Sequence, residues 1–131
     1  MNTLHILHLD ASPRQERSVS RHLSQKTLEA LQIRYPMSKV RTRDISQGLP
    51  FLDEFMIQSM DLPGPERSPT QRAVLDLSNI LVDELRVSDI LVLGLPLYNF
   101  TMPATFKAYI ELITRENRTF EYTSNGTRGL L

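Results

Sequence analysis

Ser12, Ser18 and Ser20 stand close together with Arg14 and Arg17 between them, just where a helical pattern begins. Such a cluster suits a phosphate group, which takes hydrogen bonds from hydroxyls and free backbone N–H groups and is favoured by the positive end of the helix dipole. Simple helix capping by the serines and solvated loop arginines give the same letters. The spacing matches neither the Gly-rich dinucleotide fingerprint nor a P-loop. A second group follows the apolar run Ile90, Leu91, Val92 and Leu93: after Gly94 come Leu95, Pro96, Leu97, Tyr98, Asn99 and Phe100. A buried strand ends there and is followed by amides and aromatic rings at its carboxyl end, where open α/β sheets bind ligands. The alternative is a plain loop whose aromatics cap the core. Tyr98 has the same two readings, as proton donor or as packing residue.

Joined, the two groups describe a cradle for flavin mononucleotide (FMN). The phosphate would lie on the first loop and the ring against the second, bordered by Leu97 and Phe100, with backbone N–H groups around Asn99 toward its redox-active edge. No catalytic side chain is then needed, because the flavin carries the chemistry and the protein supplies position and electrostatics.

The elements that must position these groups read as alternating strand and helix. Residues 4–9 form a first strand, and from Ser18 the positions Val19, Leu23, Thr27, Ala30 and Leu31 recur at helical spacing. Lys39–Asp44 reads as a short basic edge strand. Residues 45–68 form a long Gly/Pro-containing connection with a short helix over 52–60, its Leu52, Phe55, Met56 and Met60 facing something apolar. Ser68, Pro69 and Gln71 then announce a capped helix whose buried stripe is Val74, Leu77, Ile80, Leu81 and Leu85. The third strand is followed by a helix starting at Pro103, with Phe106, Ala108, Ile110, Leu112 and Ile113 inward. In the tail Phe120 and Tyr122 alternate before a turn at Asn125 and Gly126. Right-handed crossovers then give a parallel sheet of order 2-1-3, with the serine loop and the Tyr98 loop bordering one crevice.

Composition narrows the partners. The 131 residues carry 15 basic and 15 acidic side chains, so no net charge draws the chain to nucleic acid or to a polybasic membrane contact. The absence of cysteine removes disulfides, thiolate metal sites and a thiol nucleophile. No apolar run approaches a membrane span, and the chain enters a strand pattern at once, so a cytoplasmic protein is expected. His5 and His8 point to opposite faces of one strand, so with Asp10 they make a poor metal set, and no metal is expected. Ser12 and Ser18 lack a nearby base, which argues against nucleophilic catalysis.

Four segments then resemble one family. They are Ala11-Ser12-Pro13-Arg14 with Glu16-Arg17-Ser18-Val19-Ser20, Pro96-Leu97-Tyr98-Asn99-Phe100, Ala104-Thr105-Phe106-Lys107-Ala108-Tyr109-Ile110, and Thr119-Phe120-Glu121-Tyr122 with Asn125-Gly126. In this order they are similar to the FMN-dependent NADH-azoreductases, relatives of the NAD(P)H quinone reductases. The resemblance implies an α/β, flavodoxin-like three-layer fold, a homodimer, and ping-pong two-electron reduction of quinones and azo compounds by NADH or NADPH. Some members have carried an older label of acyl-carrier-protein phosphodiesterase. Carried over by position, it assigns the phosphate to Ser12, Ser18, Ser20 and the amide of Val19, and the ring to Pro96, Leu97, Tyr98, Asn99 and Phe100. Phe120 and Tyr122 resemble substrate-side positions near the subunit interface. Leu97 stands where Met is usual, and Thr101 where Gly is common.

The chain reads as one domain, residues 1–131, matching the N-terminal two-thirds of that fold, with the later strands missing and the edge of the third strand open. Two other readings follow: an FMN-binding or electron-carrying module without its own turnover, or an inactive fragment.

Overall fold

The sheet is built outward from HILHLD, a run buried along almost its whole length, as befits a strand with neighbours on both sides. The computed structural model describes residues 3–131. β1 (His5–Asp10) lies between β2 (Lys39–Asp44) and β3 (Ile90–Gly94), both parallel to it, giving the order β2-β1-β3. In register, Ile6 faces Val40 and Ile90, while Asp10, the last residue of β1, faces Asp44 on one side and Gly94 on the other.

Two compact units divide the chain. One contains the described residues up to Leu49 together with Val87–Tyr109; the other contains Pro50–Arg86 and Ile110–Leu131. In the first unit α1 (Val19–Arg34) packs on the sheet face that carries Ile6, His8 and Val92, and Ile6, Leu28 and Val92 form a buried cluster with Leu4, Leu31, Val40 and Ile90 around it. The helix line that faces the sheet is therefore Ser24, Leu28 and Leu31. Val19 and Leu23, which share the helical spacing with Leu31, are exposed by 73 % and 58 %. The cause is visible at Ser24, whose hydroxyl bonds to Asp10 and His8 and so turns a polar residue inward. β3 is also less buried than a strand covered on both faces: Leu91 and Leu93 are exposed by 40 % and 38 %. It is an edge strand, paired only with β1 among the described residues.

The second unit contains α2 (Glu54–Asp61), capped by the Asp53 carboxylate on the Met56 amide, and a helix that starts with the full capping box of Ser68 and Gln71. That helix does not run through. It divides into α3 (Pro69–Val74) and α4 (Asp76–Arg86), because at Leu75 the backbone tightens and its amide bonds back to Arg72. The tightened turn changes the phase, so Leu75, Ser78, Leu81 and Val82 are buried and Ile80 points outward.

α5 (Ala104–Ile113) begins in the first unit and ends in the second. After it, Arg115 is buried and donates to the Ser78 hydroxyl at 2.6 Å, while Ser78 donates to the Leu112 carbonyl at 2.7 Å. Burial, with Arg67 and Arg118 nearby, lowers Arg115 to about 10, so it stays cationic at neutral pH. β4 (Phe120–Thr123) and β5 (Gly126–Gly129) close the unit as a hairpin turning at Ser124 and Asn125, with Gly126 at φ +110°. The alternation of Phe120 and Tyr122 before the turn is thus one arm of a two-stranded ribbon.

Gly94 sets how closely α1 approaches β1. A Cβ placed there would lie 1.9 Å from Asp10 Oδ1 and 2.8 Å from Ser24 Oγ. Gly94→Ala is expected to destabilise the protein by about 1–3 kcal/mol, the usual cost of overpacking. Urea denaturation measures it, and an unchanged midpoint would contradict the close approach.

Candidate functional site

The chain leaves β1 at Asp10 and bends through Ala11 and Ser12, both buried, before an exposed stretch over 13–17 that includes a short 3-10 turn, Gln15–Arg17. Ser18 ends this stretch as the N-cap of α1: its hydroxyl accepts from the Arg21 amide at 3.2 Å and lies 3.0 Å from the Ser20 hydroxyl. The Ser12 hydroxyl accepts from the Arg14 amide at 3.3 Å.

These residues meet the end of β3 around one cavity of about 410 Å³, lined by Ser12, Arg14, Arg17, Ser18, Val19, Ser20 and Leu23 on one side and by Leu95, Pro96, Leu97 and Tyr98 on the other. Its size lies in the range of small-molecule sites, about 300–1,000 Å³. One wall carries hydroxyls, two guanidiniums and the first amides of a helix; the other is largely apolar.

Asn99 and Phe100, expected against a ring, are not in the cavity lining. Tyr98 and Thr101 exchange two backbone hydrogen bonds, at 2.9 and 3.0 Å, and between them Asn99 and Phe100 have φ of +47° and +66°. That is a tight turn of the type I′ class, which favours Asn-Gly. Asn tolerates the left-handed region, whereas a bulky Phe there is a true outlier. The turn leaves the Phe100 ring 97 % exposed beside the cavity. Phe120 and Tyr122 belong to the second unit, where their rings meet edge to face and line a cavity with Leu85, Ile113 and Thr127.

Under the serine loop lies a polar cluster that the letters did not announce. Asp10, Ser24 and His8 are all buried. Ser24 Oγ donates to Asp10 Oδ1 at 2.9 Å, and His8 Nε2 lies 3.0 Å from Ser24 Oγ and 3.4 Å from Asp10 Oδ2. A proton on Nε2 serves both neighbours. Because Asp10 and Ser24 share that one ring nitrogen, the three do not form a nucleophilic relay, in which the carboxylate holds the other nitrogen. His5, on the opposite face, offers its backbone amide to Asp89.

Arg21 completes the cluster. Its Nε and one terminal nitrogen both donate to the Ser12 carbonyl, at 2.8 and 2.7 Å, and the same terminal nitrogen reaches Asp44 Oδ2 at 2.8 Å. The other terminal nitrogen is 3.7 Å from Asp10 Oδ2. One signal could have found it: an arginine in the first turn of a helix opposes the macrodipole unless carboxylates hold it. Leu23 and Leu95 also join the lining without having been singled out.

Partial burial pushes the Asp44 carboxyl up, but hydrogen bonds from Ser46 and from Arg21 outweigh it and hold the group below the usual carboxylate range.

A family model described as "Flavodoxin-like fold" matches residues 4–131. The chain is 44% identical over 126 residues to FMN-dependent NADH:quinone oxidoreductase 1 of Hahella chejuensis, covering 96% of this chain and 62% of that protein. It is 42% identical over 127 residues to the protein of the same name from Jannaschia sp., covering 97% and 64%. Among solved structures, an azoreductase from Bacillus anthracis superposes with a TM-score of 0.89 at 26% identity, over 98% of this chain and 64% of that one. The chain thus spans a little under two thirds of the length of these relatives.

Two outcomes are expected from the site. With a depressed value in the folded state, Asp44 contributes stability that is full above the unfolded carboxylate value and is lost as pH falls through the folded one. The stability difference between the parent and Asp44→Asn should therefore be constant from about pH 5 to 8 and shrink below about pH 4; a difference that grows on acidification would contradict the pairing. Phe100→Gly should relieve the left-handed strain, about 1–3 kcal/mol, less about 0.4–1 kcal/mol for the freer unfolded chain. A rise in the urea midpoint is expected; a fall would show that Phe100 packs in the folded state.

Proposed function

Because the chain belongs to the flavodoxin-like fold family, matched over residues 4–131, we propose that it is an FMN-dependent NAD(P)H oxidoreductase that reduces quinones and azo compounds. The single observation that carries this reading is the meeting of the serine loop and the Leu95 to Tyr98 segment around one cavity. The names of the Hahella, Jannaschia and Bacillus relatives agree with it.

The donor set fits a phosphate monoester. The amides of Val19 and Ser20 head a 16-residue helix, the Ser12 hydroxyl keeps its proton to donate, and the Ser18 and Ser20 pair has one proton beyond the bond they share. Arg14 and Arg17 add positive charge on the same wall. Together these groups would hold the FMN phosphate. Leu95, Pro96, Leu97 and Tyr98 would form the apolar wall for its ring, with Asn99 and Phe100 in the adjoining turn, and Phe120 and Tyr122 are assigned to the substrate side.

FMN held there would supply the two-electron redox chemistry between a nicotinamide nucleotide and a quinone or azo acceptor. For that reaction the chain's own residues fix the phosphate, keep one face of the ring against apolar side chains and exclude water there; none acts as a chemical catalyst. The reading includes one flavodoxin-like domain over residues 1–131, a homodimer and a cytoplasmic location. No helix among the described residues is long and apolar enough to cross a membrane.

The purified chain is expected to quench added FMN fluorescence, to lose the visible flavin band when NADH is added without oxygen, and to regain it with a quinone. Failure to take up FMN would overturn the proposal. Uptake without bleaching by NADH would favour an electron-carrying module.

A further inference from the structure

The phosphate-binding wall is assembled from two pieces of backbone that the sheet does not connect directly. One is Ser12, at the end of β1; the other is the first turn of α1, with Val19 and Ser20. Between them lie residues 13–17, all exposed, with Gln15 at φ +51°. Its local bonds, from the Arg17 amide to Arg14 and from the Ser18 amide to Gln15, shape the turn without joining Ser12 to the first turn of α1. Arg21 spans them instead. It sits in the first turn of α1, and its paired N–H groups hold the Ser12 carbonyl at 2.8 and 2.7 Å.

Arg21 is itself held. Asp10 and Asp44 end neighbouring strands and stand opposite each other in register, a like-charge pair that is unfavourable across a ladder. The guanidinium lies between them, 2.8 Å from Asp44 Oδ2 and 3.7 Å from Asp10 Oδ2. Asp10 is fixed in turn by Ser24 and His8, and Gly94 leaves the room for its carboxylate. With two carboxylates facing it, Arg21 offers little free charge to an anion. Its contribution is geometric.

We infer that Arg21 is the positioning residue of the phosphate site, locking the Ser12 hydroxyl to the α1 amides at the separation a phosphate monoester needs. The inference rests on the FMN reading and names a residue outside the cavity lining. Lysine cannot reproduce it, since an ammonium lacks the planar fork that places two N–H groups on one carbonyl.

The test compares the parent with Arg21→Gln and Arg21→Lys in fluorescence titrations with FMN and with riboflavin, which lacks the phosphate, and in amide hydrogen exchange over residues 12–20. Both variants should bind FMN about tenfold or more weakly, the scale on which outer partners of a binding group act, and riboflavin as the parent does. Exchange at the Arg14 and Ser18 amides should quicken in both. Full FMN affinity in Arg21→Lys would overturn the inference in favour of charge alone. An equal loss for FMN and riboflavin would overturn it in favour of a general structural role. If the parent itself takes up no FMN, the functional proposal fails, and exchange alone decides: quickened amides in both variants keep the positioning role, and unchanged amides end it.

Discussion

A carboxylate buried at the end of the central strand sets the terms for the rest of the first unit. Asp10 is shut away from water, and a buried charge persists only when it is hydrogen-bonded and paired. Ser24 and His8 supply hydrogen-bonding contacts and Arg21 supplies opposite charge, which requires α1 to come down close on the sheet. That approach is open only because residue 94 has no side chain. The height and rotation of α1 follow from it, and with them the place of its first amides.

From this constraint the site follows in steps. A helix seated by Ser24 presents Val19 and Ser20 beside Ser12, and Arg21 fixes the interval. The neighbouring strand ends at the same level, so Leu95 to Tyr98 emerge across a gap wide enough for a small molecule. A wall of hydroxyls and helix amides thus faces an apolar wall at the carboxyl ends of adjacent parallel strands, the place where open α/β sheets bind ligands. The strained turn at Asn99 and Phe100 sits at the rim, where backbone strain is commonly tolerated for function.

Much of this was legible in the letters, for definite reasons. The apolar run ending at Gly94, the Ser18 cap and the Ser68 and Gln71 box are local signals, and the strand order 2-1-3 follows from the alternation of strand and helix. Three things were not legible. The inward line of α1 was not, because apolar spacing does not show that long-range bonds to Asp10 and His8 turn Ser24 inward and leave Val19 and Leu23 exposed. The break at Leu75 gives no sequence sign, since neither Gly nor Pro marks it. The bonds of Arg21 join residues 9 and 23 positions apart, beyond the reach of any local pattern. Within the site, the serine wall of the cavity was legible from the cluster of hydroxyls before a helix, whereas the outward turn of Asn99 and Phe100 depends on positive φ at a Phe, which sequence does not predict.

On the proposed function, the two bends form one binding site for a phosphate joined to a flat ring. Backbone amide NMR during titration with FMN tests it most directly. Large shifts are expected at Ser12, Val19 and Ser20 together with Leu97 and Tyr98, appearing at one common affinity. Shifts confined to the β4–β5 hairpin, or no shifts at saturating FMN, would contradict it.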